Sequence, residues 1–123
     1  MTFRILITGS RTWDNTAVIA KAMADAIVNA GASQEETIIV HGACPNGADM
    51  LADHIAYDWN ANIEVHPADW KTHGKAGGFI RNAEMVNLGA DICLAFIKDN
   101  SKGASHTLDL ATRAGIPVQV FRE

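Results

Sequence analysis

The segment HGACPNGAD, residues 41–49, contains residue types that could hold a phosphate group. Gly42 and Gly47 are separated by four residues, as are two glycines of a P-loop, whose backbone amides cradle phosphates. A P-loop continues with a lysine and a magnesium-binding hydroxyl, whereas this chain continues with Ala48 and Asp49. The segment therefore does not favour an ATPase or a kinase, although its amides could still line the phosphate or ribose edge of a ligand.

Other side chains of the same segment are candidates for ligand contacts or for chemistry. Asp49 either stabilises the start of a helix through the helix dipole or accepts hydrogen bonds from a sugar hydroxyl. His41 lies near Cys44, a loop thiol, and the two could form a Cys–His nucleophile. The five histidines form no H-E-x-x-H motif, however, and no C-x-x-C pair accompanies them. We therefore expect no metal ion, no cofactor and no thiol catalysis.

The stretch DWKTHGKAGGFIRN, residues 69–82, combines cations, an aromatic ring and three glycines. Trp70 either stacks on a nucleotide base or anchors the loop on the core. Arg81 is predicted near a helix start, where it either pairs with Glu84 or Asp69 in solvent or completes an anion site at the helix N-terminus. The clustering of basic residues in this stretch and the glycine loops together favour the anion site. The candidate ligand-binding residues of this stretch are Asp69, Trp70, Lys75, Arg81 and Asn82.

Two more polar segments follow predicted strands. In TGSRTW, residues 8–13, Gly9 allows a tight turn, Ser10 can donate a hydrogen bond and Arg11 can meet an anion. This segment lacks the G-x-G-x-x-G dinucleotide fingerprint, so by itself it is typical of an ordinary strand-to-helix turn. NSKGASHT, residues 100–107, opens a predicted helix with groups suited to a phosphate at a helix N-terminus, namely Ser101, Gly103 and Ser105.

The elements that must position these residues alternate between strands and helices. Apolar runs predict strands at 3–8, 37–41, 62–67, 91–97 and 117–121. Helical spacing predicts helices at 14–30, 47–60, 78–88 and 103–114, with a polar loop at 68–78 before the third helix. Asp14 is the expected N-cap of the first helix, and Gly31 its C-terminal stop.

This alternation predicts one α/β domain, residues 1–123, in which helices cover both faces of a five-stranded parallel sheet. We expect a Rossmann-like three-layer fold with strand order 3-2-1-4-5. Ligands of such sheets bind beyond the carboxyl ends of the strands, where the order reverses. Here that place lies between the loops after the first and fourth strands, and the loops after the second and third strands form one wall.

Composition limits the class of protein and its partners. The net charge is −4, which argues against nucleic-acid binding because phosphate contacts dominate that affinity. No apolar run is long enough to span a membrane, the N-terminus lacks a signal-peptide layout, and the two cysteines form no disulfide framework, so we expect a cytoplasmic protein. Six of the ten basic residues are nevertheless predicted at the carboxyl edge of the sheet: Arg11, Lys71, Lys75, Arg81, Lys98 and Lys102.

The motifs together resemble a known group. TGSRTW, HGACPNGADMLAD, ADWKTHGKAGGFIRNAEMV, GADICLAF and GASHTLDLATRAGIPV are similar to the YspA-type (cpYpsA-related) branch of the SLOG superfamily, in register along nearly the whole chain. This resemblance implies a Rossmann-like fold and a nucleotide or nucleotide-derived ligand, such as a nucleoside monophosphate or a relative of ADP-ribose. The branch is common in bacteria and their phages, so a sensor or sequestering protein for a nucleotide signal is the expected function.

Two related branches imply alternatives. Lonely-guy phosphoribohydrolases cleave the N-glycosidic bond of nucleoside monophosphates, and this chain keeps their Arg81 and Met85 but has Thr107 where their catalytic glutamate stands. A hydrolase would therefore use Arg81 as the substrate clamp and Asp49 or Asp69 as the acid. The related protein DprA implies single-stranded DNA binding as a third reading. Lonely-guy proteins dimerise through helices beside the site, so we expect a homodimer formed through the third predicted helix.

Overall fold

A computed structural model describes residues 2–123 of the chain. Its strands are β1 (Phe3–Gly9), β2 (Thr37–His41), β3 (Asn62–Val65), β4 (Ile92–Ile97) and β5 (Val118–Arg122). Its helices are α1 (Thr16–Ala30), α2 (Ala48–Asp58), α3 (Trp70–His73), α4 (Gly77–Asn87) and α5 (Lys102–Arg113). None of the helices in these residues has the length and apolar character needed to cross a lipid bilayer.

The five strands form one parallel sheet with the order β3-β2-β1-β4-β5. The predicted Rossmann-like three-layer fold and its strand order are therefore confirmed. The chain leaves β1 toward β2 and β3 on one side, and then crosses to β4 and β5 on the other. The order reverses between β1 and β4, so the loops that follow these two strands diverge and leave a crevice.

Alternating side chains of the central strand divide the core between two layers. Ile5 and Ile7 belong to the cluster formed with α1 and α2, where Met23 is fully buried. Leu6 points to the other face and belongs to the cluster formed with α4 and α5, where Met85 is buried. Because both faces of the sheet are covered, its strands carry nearly continuous apolar residues.

The start of α1 differs from the prediction by one residue. Asn15, not Asp14, is the N-cap, because its side chain accepts the amide of Val18 at 3.2 Å. The indole nitrogen of Trp13 donates to the Asn15 carbonyl group at 2.9 Å and fixes this residue. The Asp14 side chain lies instead 3.4 Å from Nζ of Lys98. The predicted stop at Gly31 is confirmed, since this residue has a left-handed φ of 65°.

The segment between β3 and α4 is not the long loop that its polar residues predicted. It contains the short helix α3 and a 3₁₀ turn over residues 74–76. Asp69 caps α3, since its side chain accepts the amide of Thr72 at 3.0 Å. Neither piece buries a residue, so no apolar periodicity marks them in the sequence.

Candidate functional site

A cavity of about 370 Å³ opens at the carboxyl edge of the sheet, between the ends of β1 and β4. It lies where the strand order reverses, the usual place for ligands in this architecture. Nine of the predicted site residues line it: Gly9, Ser10, Arg11, Gly42, Asp49, Arg81, Asn82, Ser101 and Gly103. Eight other residues line it that were not predicted ligand contacts, although Cys44 was considered as a nucleophile and Lys98 was predicted at this edge: Ile7, Thr8, Thr12, Cys44, Met85, Lys98, Asp99 and Ala104.

A second, smaller cleft of about 140 Å³ adjoins this cavity. Arg11, Arg81, Asn82 and Gly103 line both spaces, so the two are continuous at these residues. The remaining wall of the cleft is formed by Trp70, Lys75, Gly78 and Phe79. Trp70 and Phe79 are about half exposed, and their rings are the aromatic surface of this cleft.

The β2–α2 loop contains the half P-loop, and side chains of the protein already accept three of its amides. Oδ2 of Asp49 accepts the amides of Gly42 at 3.2 Å and Cys44 at 3.3 Å. Nδ1 of His41 accepts the amide of Ala43 at 3.0 Å. The carboxylate of Asp49 thus stands where a P-loop would hold phosphate. These three amides are not free to bind a ligand, in contrast to the expectation for this loop.

Asp49 is 7% exposed and still lines the cavity. Burial raises the pKa of its carboxyl group, while His41, the Cys44 amide, Arg81 and the Gly42 amide favour the charged form and oppose the shift. Within residues 2–123 its second oxygen, Oδ1, accepts no hydrogen bond. Asp49 therefore holds the β2–α2 loop through Oδ2, and its predicted contact with a sugar hydroxyl stays a prediction.

His41 lies beneath the loop, and it is absent from the lining of the cavity. The side chain is buried, and its Nε2 lies 2.7 Å from Oδ2 of Asp53 on α2. With Nδ1 bound to the Ala43 amide, neither ring nitrogen is available to a ligand. His41 is a support of the loop, where direct ligand contact was expected.

Two of the predicted glycines are explained by contacts between protein segments. Gly47 has a φ of 78°, and a Cβ atom there would overlap the carbonyl oxygen of Ser10. Gly9 packs equally closely, since a Cβ atom there would collide with the side chain of Ala48. The β1–α1 loop and the start of α2 therefore touch through their backbones, and Gly47 is needed for this approach, not for a ligand.

Ser10 also has a structural role at the head of the cavity. Its hydroxyl group donates to the carbonyl oxygen of Lys98 and accepts the Lys98 amide, both at 2.7 Å. Its own amide donates to the carbonyl group of Phe96 at 2.9 Å. Ser10 is thus saturated by protein partners. The amides of Arg11 and Thr12, which follow it, form no hydrogen bond in the described part of the chain and border the cavity.

Arg81 is held in a fixed position on α4 by three neighbours. Its Nη1 donates to the carbonyl groups of Gly42 and His66, and its Nε donates to Oδ1 of Asn82 at 2.8 Å. Gly42 has no side chain at the point where the guanidinium packs, so a Cβ atom there would overlap it. The side chain of Arg81 lines both spaces, and Nη2 has no acceptor among the described residues.

Asn82 connects this arginine to α5. The residue is 5% exposed, and its Nδ2 lies 3.5 Å from the carbonyl oxygen of Gly103 and 3.4 Å from Nδ1 of His106. The ring of His106 in turn packs edge-to-face on Phe79, with centroids 4.6 Å apart. Asn82 thus fixes both the guanidinium on one side and the first turn of α5 on the other.

The first turn of α5 borders the cavity with its N-terminus. Ser101 is the N-cap, and its hydroxyl group accepts the amide of Ala104 at 3.3 Å. The amides of Lys102 and Gly103 have no acceptor in the part of the chain that the structure describes, as is usual at a helix start. Such amides and the helix dipole attract anions. Ser105 is exposed and does not line the cavity.

Two residues that directly follow β4 could have been selected from the sequence as the first polar positions after a predicted strand. They are Lys98 and Asp99, and both line the cavity. Asp99 and Asn100 have φ values of 58° and 53°, which form the tight turn into α5.

Asp69, a predicted acid, is exposed and lies outside both the cavity and the adjoining cleft. Within residues 2–123, no three His, Cys, Asp or Glu side chains are grouped as metal ligands.

The comparisons with known proteins agree with this architecture. The family described as "YspA, cpYpsA-related SLOG family" matches residues 3–73, which include β1, β2, the half P-loop and α3. The chain is also similar to "Gene 61 protein" of Mycobacterium phage D29, with 43% identity over 123 residues, covering 96% of this chain and 95% of that protein. No solved structure matches the chain. The chain belongs to the YspA, cpYpsA-related SLOG family.

Proposed function

We propose that the protein binds a nucleotide or nucleotide-derived ligand, a nucleoside monophosphate or an ADP-ribose-like molecule, at the carboxyl edge of the sheet. The observation that supports this most strongly is the cavity at the β1–β4 reversal, where Arg11, Arg81 and Lys98 meet the open first turn of α5. Membership of the SLOG family indicates a nucleotide-related ligand in general. Arginine and helix-start amides together are well suited to phosphate oxygens.

Each part of a nucleotide has a chemically matching wall. The phosphate would lie against Nη2 of Arg81 and the free amide of Gly103 in the first turn of α5. A sugar hydroxyl would donate to Oδ1 of Asp49, since this oxygen has no protein donor in the described residues. The base would enter the adjoining cleft and pack on Trp70, because aromatic rings stack on nucleobases at a favourable energy of about 1–3 kcal/mol.

Thermal-shift measurements against AMP, ADP-ribose, NAD and cyclic nucleotides test this function directly. A ligand that binds only the folded state raises the melting temperature by mass action. Arg81→Ala should abolish the shift. Arg113→Ala is the matched control, since Arg113 lies at the far end of α5 and pairs with Asp109 on the surface. No stabilisation of the folded wild-type protein by any of these nucleotides would contradict the proposal.

A second candidate function is hydrolysis of a nucleotide N-glycosidic bond. It is favoured by Asp49, a buried carboxyl group at the cavity whose pKa is raised by burial, as a general acid requires. In this reaction the bond between C1′ of the ribose and the base nitrogen would break while a water molecule adds to C1′; Asp49 would protonate the leaving base and take up the proton that the water loses, and Arg81 would hold the phosphate. Release of free base from purine and pyrimidine nucleoside monophosphates tests it, with loss of release expected in Asp49→Asn. Absence of base release across both series would exclude this activity.

We further propose that the protein is a homodimer and that it senses or sequesters its ligand without a metal or cofactor. The surface of α4 supports the dimer, because Phe79, Ile80 and Leu88 are exposed along it, and Val65 is exposed on the neighbouring edge strand β3. Exposed apolar surface of this kind is typical of protein interfaces, and we propose that these side chains contribute to the dimer contact. A cytoplasmic location fits a nucleotide ligand.

A further inference from the structure

The β2–α2 loop adopts a conformation that only its buried hydrogen bonds explain. Ala43 has a φ of 61°, a sparsely populated region for a residue with a Cβ atom. Its amide points inward and donates to Nδ1 of His41 at 3.0 Å. The neighbouring amides of Gly42 and Cys44 donate to Asp49. The loop is therefore held from beneath by two side chains, of which His41 contacts the strained residue itself.

The hydrogen bonds of His41 assign its tautomer. Because Nδ1 accepts an amide hydrogen, the proton of the neutral ring is on Nε2. Nε2 lies 2.7 Å from Oδ2 of Asp53, which accepts this proton in a hydrogen bond. His41 is 2% exposed, so both of its ring nitrogens are shielded from bulk water, whereas the side chain of Asp53 is 30% exposed. Asp53 therefore orients the ring, and the ring orients the Ala43 amide.

Both carbonyl groups that hold Arg81 are next to His41. Gly42 follows His41 in the chain, and its carbonyl oxygen accepts from Nη1 of Arg81. The amide of His66 donates to the carbonyl oxygen of His41 at 2.9 Å, and the His66 carbonyl group accepts from the same Nη1 at 3.3 Å. A change in the loop at residue 43 would move the Gly42 carbonyl group directly, since the two share a peptide unit.

We propose that His41 is a positioning residue, which sets the pose of the Arg81 guanidinium by holding the Ala43 amide through Nδ1. The effect of His41 on ligand binding rests on the proposed function, because it acts through Arg81, which lines both the cavity and the adjoining cleft. The contacts themselves involve the protein alone. They can therefore be tested with or without a ligand.

Two substitutions of His41 separate its two hydrogen bonds. In His41→Asn, the amide oxygen takes the place of Nδ1 and can accept from Ala43, but the shorter side chain does not reach Asp53. In His41→Gln, the terminal nitrogen takes the place of Nε2 and can donate to Asp53, but no acceptor faces Ala43. His54→Gln is the control on the same helix as Asp53, since His54 is exposed.

Nuclear magnetic resonance of the full chain provides the readouts. Long-range proton–nitrogen spectra of the wild-type protein should show His41 protonated on Nε2 only. The signal of the Nη1 hydrogens of Arg81, which donate to the Gly42 and His66 carbonyl groups, is assigned by its loss in Arg81→Lys and should be slow to exchange in the wild-type protein, in His54→Gln and in His41→Asn. In His41→Gln its exchange should be about tenfold faster, as expected for loss of one buried hydrogen bond.

A wild-type ring protonated on Nδ1 would overturn the proposal, even if neither His41 variant folds. It would also be overturned if His41→Asn and His41→Gln changed Arg81 exchange equally. In the nucleotide titration, His41→Asn should keep the wild-type affinity within about threefold, and His41→Gln should lose about tenfold. If the wild-type protein binds no nucleotide while the resonance results hold, the proposed function fails and the positioning role of His41 stands.

Discussion

The hydroxyl group of Ser10 is bonded to both polar atoms of the Lys98 main chain, donating to the carbonyl oxygen and accepting the amide at 2.7 Å each. Ser10 follows β1 and Lys98 follows β4, so this pair joins the two loops that diverge at the reversal of strand order. This contact sets the width of the cavity between the two loops, because Ser10 is 1% exposed and surrounded by protein.

Ser10→Ala should lower the free energy of unfolding by about 1–3 kcal/mol, since it leaves a partly buried amide and a partly buried carbonyl group of Lys98 without this partner. Ser105→Ala, on the exposed side of α5, should change stability by less than about 0.5 kcal/mol. Urea denaturation of both variants measures the difference. Equal stability of the two variants would show that water replaces the Ser10 hydroxyl group.

Gly47→Ala and Gly115→Ala form a matched pair, because the two glycines have φ values of 78° and 80°. Gly115 has open space around it, so its substitution should cost about 1 kcal/mol from backbone strain alone. At Gly47 a methyl group would overlap the Ser10 carbonyl oxygen, and the cost should exceed that of Gly115→Ala by about 1–3 kcal/mol. Chemical denaturation compares them. Equal losses of stability in the two variants would mean that the β1–α1 loop moves away from the added methyl group at no further cost in free energy.

The buried carboxyl group of Asp49 predicts a pH dependence of stability. Its pKa is raised above the ordinary value of 3.8, so the folded protein holds this proton more tightly than the unfolded chain. As pH rises from about 4, the unfolded chain releases the proton first, and the unfolding free energy falls until the folded group also ionises. Asp49→Asn does not titrate, so the stability advantage of the wild-type protein over it should shrink as pH rises.

Urea denaturation of the wild-type protein and Asp49→Asn between about pH 4 and about pH 7 measures this advantage. Asp58→Asn is the control, because Asp58 is exposed at the end of the same helix. A stability advantage of the wild-type protein that grows with pH would contradict this prediction. It would mean that the Gly42 and Cys44 amides and Arg81 outweigh burial and hold Asp49 as the anion.

Arg81→Lys should weaken nucleotide binding by about tenfold or more, although the positive charge is kept. An ammonium group cannot reproduce the planar guanidinium that contacts Gly42, His66 and Asn82 together and leaves Nη2 for a ligand. Calorimetric titration with the tightest nucleotide found by thermal shift measures the loss. Arg122→Lys serves as the control at the end of β5, and equal affinities would place the anion away from Arg81.

The dimer predicts a change of mass on substitution of α4. Leu88 is 60% exposed at the end of this helix, and Leu88→Glu should shift the protein from dimer to monomer by placing a charge in an apolar interface. Tyr57→Glu changes a side chain on α2 that is 75% exposed, on the opposite face of the sheet, and should leave the mass unchanged. Light scattering measures both. A monomeric wild-type protein at all concentrations would contradict the dimer.

The fold could be predicted from sequence because each strand is a short apolar run and each long helix has an apolar face. Ile5, Leu6 and Ile7 are fully buried on alternating faces, and they are part of an uninterrupted apolar run in the sequence. The helix α3 could not be predicted, since it is only four residues long and buries none of them. Short capped turns depend on local hydrogen bonds, which leave no periodic pattern.

The location of the cavity could be predicted from the sequence, whereas the hydrogen-bond partners of the polar groups around it could not. The reversal of strand order follows from topology, so the loops after β1 and β4 were expected to meet. The sequence does not reveal which polar groups the protein itself occupies. Ser10 and His41 were selected as ligand contacts, but their hydrogen bonds go to Lys98, Ala43 and Asp53. Hydrogen bonds between residues far apart in the chain decide which polar groups remain available to a ligand.

The carboxylate of Asp49 in the β2–α2 loop has a consequence for the energetics of binding. In a P-loop, the converging amides remain without an anion until phosphate arrives, so part of the affinity offsets the disorder of an empty loop. Here the side chain of Asp49 already occupies the loop, because its Oδ2 accepts two of the loop amides before any ligand binds. A ligand would gain nothing by organising these amides, and in the proposed function its affinity would derive from Arg81, the start of α5, the aromatic cleft and Oδ1 of Asp49.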